Sequence, residues 1–271
     1  GSNLQKAGMP RGCCTEQWIL DHPTALAALQ GRYADAGSHI VYAPTFQAQP
    51  IALAKVGLEQ STEKINKSLV GLSRQSAPGC LIAGNLTTLA AFTDSFDEGN
   101  MELMIENYRR QIVGLFFFFL DLLAAETLMY TTEAEAILTA AELEGAETVF
   151  YTFTMQPDGS LFSGREAGPI LRELEQAGAA AVGFNCVAAD RFTPGLVSKL
   201  RRYVKGPLIC KPNAGTPYIG SDNLPVYPME EQEFADILAQ CHQMGANILG
   251  GCCGTSPDYI RAVKQRILSK P

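Results

Sequence analysis

Three observations predict an α/β chain with a parallel sheet, folded as a (β/α)8 TIM barrel. Short apolar runs rich in β-branched residues alternate with helical stretches along all 271 residues. These runs are apolar on both faces, as buried parallel strands are. No glycine-rich phosphate loop follows the first run, although an open doubly wound sheet would normally carry one there.

The elements follow in order. A helix is expected over 23–36, because Asp21-His22-Pro23-Thr24 offers a capping-type start with proline in the first turn. His39-Ile40-Val41-Tyr42-Ala43 reads as the first strand, and 51–75 as one long helix. A strand over 80–84 precedes a helix over 100–115. The apolar run 112–125 contains Phe116-Phe117-Phe118-Phe119, is broken by Asp121 and ends at Glu126. It is too short and too interrupted to span a bilayer, and reads as a helix end entering a buried strand over 121–125. Four consecutive rings cannot all face inward on one helix, so one or two of them suit a subunit or domain contact. A helix over 132–144, a strand over 148–152, a helix over 165–176 and a strand over 180–184 come next. The series closes with a helix over 193–204, a strand over 207–211, a helix over 230–244, a strand over 246–250 and a helix over 257–268. Gly178, Gly206 and Gly245 sit where helices should stop, and Ser256-Pro257-Asp258 starts the last one. The first helix has no strand before it. The expectation is therefore one barrel domain over 1–271 whose first strand lies upstream of residue 1 or has been removed.

Composition narrows the function. A formal charge of −7 with no basic stripe argues against nucleic acid. Eight cysteines in a chain of this size do not make a small disulfide scaffold. They fit a reducing, cytoplasmic setting with some thiols kept for metal or catalysis. No signal-peptide pattern opens the chain, and no membrane partner is expected.

The chemistry concentrates in Gly250-Gly251-Cys252-Cys253-Gly254-Thr255, together with Asn185-Cys186. Three thiolates that converge make three quarters of a tetrahedral zinc site, and an incomplete site leaves a position for substrate. Adjacent side chains on a strand point to opposite faces, so the backbone must turn sharply between Cys252 and Cys253. Gly250, Gly251 and Gly254 permit such a turn. Both cysteine segments follow strands at their C-terminal ends, where barrel active sites are built. The strand over 207–211 leads into Lys211-Pro212-Asn213-Ala214-Gly215, which puts Asn213 between them. Cys80, Cys210 and Cys241 read as core residues, and Cys13-Cys14 as a loop pair outside any metal site. His22, His39 and His242 lie at no C-terminal strand end and read as packing or surface residues. Glu126 on an apolar strand is costly unless paired, which favours a functional role over a buried structural ion pair. Asn185 and Asn213 either line a pocket or brace their loops through backbone bonds. Asp158-Gly159 reads as a turn.

These motifs resemble the homocysteine S-methyltransferase family, which includes the homocysteine-binding barrel of cobalamin-dependent methionine synthase. Betaine–homocysteine and S-methylmethionine–homocysteine methyltransferases are further members. Asn3-Leu4-Gln5-Lys6-Ala7-Gly8 is similar to the stretch after the family's opening motif, whose Asp would fall just before Gly1. Glu126-Thr127, Asn185-Cys186, Lys211 to Gly215 and Gly250 to Thr255 match later motifs in order. The second-strand motif reads Ala43-Pro44-Thr45-Phe46, and the third reads Gly84-Asn85-Leu86-Thr87-Thr88-Leu89 where methionine synthases carry Gly-x-x-Gly-Pro-Thr-Gly.

The resemblance implies a zinc-dependent transfer of a methyl group to homocysteine, giving methionine. It implies zinc held by Cys186, Cys252 and Cys253, with the homocysteine thiol as fourth ligand. Those three cysteines are thus the expected catalytic and metal-binding residues, with Glu126, Asn185 and Asn213 binding substrate. Three thiolates on zinc leave a net charge of about −1, which keeps the fourth sulfur nucleophilic. The methyl donor is expected to be a small molecule, or methylcobalamin on a separate corrinoid protein. An oligomer is compatible with the sequence. The alternative is a non-catalytic zinc- and thiol-binding subunit of a corrinoid-dependent system.

Overall fold

The computed structural model describes residues 2–92, 97, 99–116, 120–221 and 223–269. The chain forms two compact units, Gly1–Phe150 and Tyr151–Pro271.

In the first unit, helices α1 (Ser2–Lys6), α2 (Thr15–Asp21) and α3 (Pro23–Asp35) precede strand β1 (Ile40–Tyr42). The sequence predicts neither α1 nor α2, which are too short to show a helical period. Burial fixes them instead: Leu4, Met9, Ile19 and Leu26 pack with Leu53, Ile65 and Leu69. Pro23 opens α3 as expected, but the His22 side chain does not cap it. Its ring stacks on Trp18, and its Nδ1 lies 2.9 Å from the Trp18 carbonyl oxygen.

The helix expected over 51–75 is broken into α4 (Pro50–Ala54), a 3-10 turn (Glu59–Ser61) and α5 (Thr62–Ser76). Gly57 adopts φ +70°, and the Leu58 amide donates back to the Leu53 carbonyl at 3.0 Å. That is a helix stop of the left-handed glycine kind. Strand β2 (Leu81–Thr87), helix α6 (Met101–Phe116), strand β3 (Leu122–Leu128) and helix α7 (Thr131–Leu143) follow. Phe116 ends α6; Phe117, Phe118 and Phe119 lie outside the described residues. Strand β4 (Val149–Phe153) falls on the boundary between the units.

Strands β1, β2 and β3 pair in parallel, with Tyr42 opposite Ala83, Asn85 opposite Ala124 and Thr87 opposite Glu126. Residues two apart on a strand share a face, so Tyr42, Ala83, Asn85, Thr87, Ala124 and Glu126 belong to one face. Ala83, Leu122 and Ala124 make an apolar cluster with Ile40 and Tyr42 there. The face is apolar toward the N-terminal strand ends and polar at the C-terminal ends.

The second unit contains α8 (Ala167–Gln176), β5 (Ala181–Ala188), α9 (Thr193–Arg201) and β6 (Leu208–Asn213). They are followed by β7 (Tyr218–Ile219), β8 (Pro225–Val226), α10 (Glu231–Gln243), β9 (Ile248–Leu249) and α11 (Pro257–Leu268). Strand β6 pairs in parallel with β5 on one side and β9 on the other. Helix α8 starts two residues later than the sequence predicts. Residues 160–166 instead fold back, with the Leu161 amide donating to the Arg165 carbonyl at 2.8 Å. Asp158-Gly159 is a turn: Asp158 Oδ1 accepts from the Ser160 amide at 2.8 Å, and Gly159 has φ +85°. The antiparallel β7–β8 hairpin has no counterpart in the sequence reading, because two residues per strand carry no readable period.

Gly178 and Gly245 stop their helices with φ +103° and +108°. Gly206 serves a different purpose. A Cβ there would stand 2.8 Å from Glu175 Oε1, which accepts the Lys205 and Gly206 amides. Among the described residues, no helix is long and apolar enough to cross a membrane.

Candidate metal centre

Strand β5 carries Asn185 and Cys186, strand β6 ends at Asn213, and the turn after β9 carries Cys252 and Cys253. The sulfurs of Cys186, Cys252 and Cys253 all lie within 4.8 Å of one another. Cys186 Sγ and Cys253 Sγ are 3.8 Å apart. Thiolates at about 2.3 Å from a tetrahedral zinc are separated by about 3.8 Å, so this spacing fits such an ion. Among the described residues this is the one group of three metal-ligating side chains so arranged.

Two backbone devices produce the convergence. The β5–β6 ladder shifts register between Asn185 and Ala188, and Cys186 within the shift adopts φ +61°. A bulge of this kind re-aims a side chain, and a left-handed non-glycine residue marks strain held by its surroundings. The second device is the turn itself, which is pinned along β6. The Cys252 amide donates to the Pro212 carbonyl at 2.8 Å, and the Ala214 amide to the Cys253 carbonyl at 2.9 Å. The Cys253 amide donates to Asn213 Oδ1 at 3.0 Å. Thr255 closes the turn by donating its hydroxyl to the Cys252 carbonyl at 2.8 Å.

The three glycines of the turn do different work. Only Gly254 uses left-handed backbone, at φ +82°, and a Cβ there would lie 2.3 Å from Tyr227 Cγ. Gly251 provides space, since its Cβ would stand 2.4 Å from Thr255 Oγ1. Gly250 lies against the Lys211 stem, with 3.1 Å between a Cβ and Lys211 Cγ.

The thiols are strongly interdependent. Hydrogen bonds to Cys252 and Cys253, then burial, push the Cys186 thiol well above its usual range. Hydrogen bonds from Cys186 and Cys252 pull Cys253 far below it. At Cys252 the bond with Cys186 lowers the pKa; the bond with Cys253, burial and the Cys253 charge outweigh it and raise the thiol overall. Three thiolates at this spacing require a cation to offset their repulsion.

Asn185 is fully buried, and its Nδ2 donates to Cys252 Sγ at 3.7 Å. Asn213 braces the Cys253 amide, as described. Tyr227 escapes the sequence reading. Burial and then the Cys253 charge raise its phenol above the ordinary range. No periodicity singles it out; the signal lies in Gly254, whose missing side chain admits the ring.

In the first unit, Glu126 is half-buried near the end of β3. Its Oε1 accepts from Asn85 Nδ2 at 2.9 Å, and its carbonyl accepts from the Thr87 hydroxyl at 2.9 Å. Thr127, next along, has φ +59°. The remaining cysteines stand elsewhere. Cys13 Sγ donates to the Pro10 carbonyl at 3.0 Å, Cys14 Sγ lies 3.7 Å from Glu16, and Cys80, Cys210 and Cys241 are buried. His39 is exposed, and His242 Nδ1 lies 2.9 Å from the Ala246 carbonyl oxygen.

Comparison with known proteins extends this geometry. The sequence profile of the homocysteine S-methyltransferase family matches residues 1–267. The chain is 28% identical over 270 residues to a homocysteine S-methyltransferase of Escherichia coli (strain K12), covering 92% of this chain and 86% of that one. It is 27% identical over 289 residues to the S-methylmethionine–homocysteine S-methyltransferase BHMT2 of Pongo abelii, covering 97% and 75%. A methionine synthase of Mycobacterium leprae (strain TN) is 25% identical over 281 residues, covering 97% of this chain. This chain spans only 23% of that protein's length. Among solved structures, the homocysteine methyltransferase MmuM from Escherichia coli in its metallated form superposes with a TM-score of 0.82 at 24% identity, covering 98% and 93% of the two chains. That likeness is one of fold, and the fold is of the TIM-barrel class.

Proposed function

This chain belongs to the homocysteine S-methyltransferase family, and from that membership we propose a zinc-dependent methyl transfer to the homocysteine thiol, giving methionine. The acceptor and the reaction type follow from the family. The metal, the residue roles and the methyl donor are the proposal. The observation that carries it is the sulfur cluster, with all three atoms within 4.8 Å of one another.

Methyl transfer to sulfur needs a thiolate, and a free alkyl thiol with a pKa of about 8.5 supplies little at neutral pH. Zinc held by Cys186, Cys252 and Cys253 would supply the positive charge that makes the substrate thiol ionise. Asn213 fixes the backbone of Cys253, and Asn185 donates to the sulfur of Cys252, so both asparagines hold ligands in place. Glu126 receives the substrate ammonium through a charge-assisted hydrogen bond and so orients the amino acid. The donor is a small methyl compound, or methylcobalamin carried on a separate protein.

Two measurements test the reading. Metal analysis of Cys186→Ala, Cys252→Ala and Cys253→Ala is expected to show loss of zinc together with loss of activity. Full zinc retention in all three refutes the site. Incubating the zinc-loaded protein with homocysteine and each of S-methylmethionine, betaine and methylcobalamin is expected to yield methionine with one donor. Homocysteine binding without turnover on any of them would support a non-catalytic thiol-binding subunit instead.

A further inference from the structure

A cation lies on the sheet face that bears the sulfur cluster, and the reaction as proposed gives it no part. Lys211 stands opposite Asn185 in the β5–β6 ladder. On the other side of β6, Cys210 stands opposite Leu249, so the next residues along, Lys211 and Gly250, are neighbours. Residues opposite one another in a ladder project from the same face. Asn185, Lys211 and Gly250 therefore form one row across β5, β6 and the end of β9. From that row the Asn185 side chain reaches Cys252, its Nδ2 donating to Sγ at 3.7 Å.

Gly250 keeps the row open for a long side chain. A Cβ there would stand 3.1 Å from Lys211 Cγ, 3.6 Å from Cδ and 3.7 Å from Cε. The lysine stem thus passes over the glycine, two residues before Cys252, and Lys211 is half-buried. A charge partly withdrawn from water is costly unless an opposite charge faces it. The thiols are one source of such charge. Along with the bond from Cys186, which is the larger effect, the Lys211 charge favours the Cys252 thiolate. Three thiolates leave zinc with a net charge of about −1, and a fourth from the substrate makes about −2. Zinc alone does not balance the cluster.

We propose that Lys211 is the counter-charge of the metal centre: its ammonium offsets the negative charge that arrives with the substrate thiolate. The proposal rests on the reading that Cys186, Cys252 and Cys253 hold zinc. After methyl transfer the fourth sulfur is a neutral thioether, and the cluster returns to about −1. Lys211 thus favours the thiolate about to react over the thioether that has formed, which assists release of product.

Calorimetry on the zinc-loaded full chain tests this with two ligands, L-homocysteine and L-methionine. They share the ammonium and carboxylate, and differ in bringing a thiolate or a neutral thioether to the metal. Lys211→Met keeps the stem over Gly250 and removes the charge. It is expected to weaken homocysteine binding by about tenfold or more, with methionine binding and zinc content unchanged. Lys211→Arg keeps the charge and should hold homocysteine affinity near that of the unaltered protein. Lys211→Gln carries the comparison if Lys211→Met does not fold. Equal weakening of both ligands would put Lys211 against the shared amino-acid groups or in packing alone, and the proposal falls. Unchanged homocysteine affinity in the variants that lack the charge also overturns it. If the unaltered protein binds homocysteine equally with and without zinc, the metal reading itself falls, and the counter-charge with it.

Discussion

At the scale of single residues, the candidate centre depends on conformations that few residues tolerate. Cys186 and Gly254 are both left-handed, at φ +61° and +82°. The cysteine is held there by the β5–β6 register shift, whereas the glycine is there at no steric cost. Gly254→Ala therefore meets two obstacles. Its Cβ would lie 2.3 Å from Tyr227 Cγ, and an L-residue at this φ costs about 1–2 kcal/mol. The turn must shift, and Cys253 shifts with it. Zinc affinity is expected to fall by about tenfold or more in a chelator-competition titration. If affinity is unchanged, the turn tolerates displacement and the ligand geometry is not set by Gly254. Tyr227→Gly removes the clash, since the Tyr227 Cβ itself would stand 2.5 Å from the added carbon, but not the backbone strain at Gly254. In combination with Gly254→Ala it should recover part of the loss, and the recovered part measures the contribution of space alone.

At the scale of elements, one buried carboxylate shows how the helices are anchored. Glu133 in the first turn of α7 accepts from the Thr88 hydroxyl at 2.8 Å and from the Leu89 amide at 2.6 Å. It thereby ties α7 to the segment leaving β2. Glu133→Ala leaves those donors buried and unpaired, and should cost about 2–4 kcal/mol in urea unfolding. Burial also raises the Glu133 pKa above its ordinary 4.5. Because the folded state then holds its proton more tightly than the unfolded chain, this group's stabilising contribution is full below about 4.5. It declines as pH climbs through the folded-state value. Glu133→Gln should flatten that decline in unfolding midpoints measured across the range. An unchanged slope would show that other groups set it.

The same scale explains what the sequence concealed. Alternating strands and helices were legible because apolar runs of seven strands stand out from polar helical surfaces. Strand ends were not. The apolar criterion stops the inner strands too early: β2 continues through Asn85 and Thr87, β3 through Glu126, β5 through Asn185 and Cys186, and β6 to Asn213, whereas β1 and β9 end one residue before their expected limits. Asn85, Thr87, Asn185 and Asn213 pair in the ladder like any other residue, yet they read as loop because strands were recognised by hydrophobicity. Cys186 and Asn213, which the reading placed just beyond their strands, are therefore on them, whereas Cys252 and Cys253 stay in the turn after β9. The cysteines were legible because three thiols beside glycines are chemically distinctive. Asn85 was not: its bond to Glu126 emerges only from the β2–β3 register, which brings the two residues diagonal to each other.

At the scale of the whole molecule, the candidate ligands join segments far apart in the chain. Cys186 lies on β5 and the Cys252–Cys253 turn follows β9, with β6 pinned between them through Pro212, Asn213 and Ala214. A metal bound to these sulfurs cross-links two segments of the second unit, β5 and the turn after β9, across β6. By linkage, an ion that binds the folded state stabilises it by about 2.7 kcal/mol at a hundredfold excess over its Kd, less any affinity of the unfolded thiols. Chelating zinc should therefore lower the unfolding temperature, and the effect should be local before it is global. Hydrogen exchange is the direct measurement. After metal removal, the Cys252 amide that meets the Pro212 carbonyl, the Ala214 amide that meets the Cys253 carbonyl and the Cys253 amide on Asn213 should exchange faster. The amides of β1, β2 and β3 contain none of these ligands and should keep their protection. Equal loss in both units would mean that the metal stabilises the fold without acting through this turn. No loss at the turn would mean that its hydrogen bonds to β6 hold the three sulfurs together unaided, so that the site is preorganised and metal binding adds charge balance rather than shape.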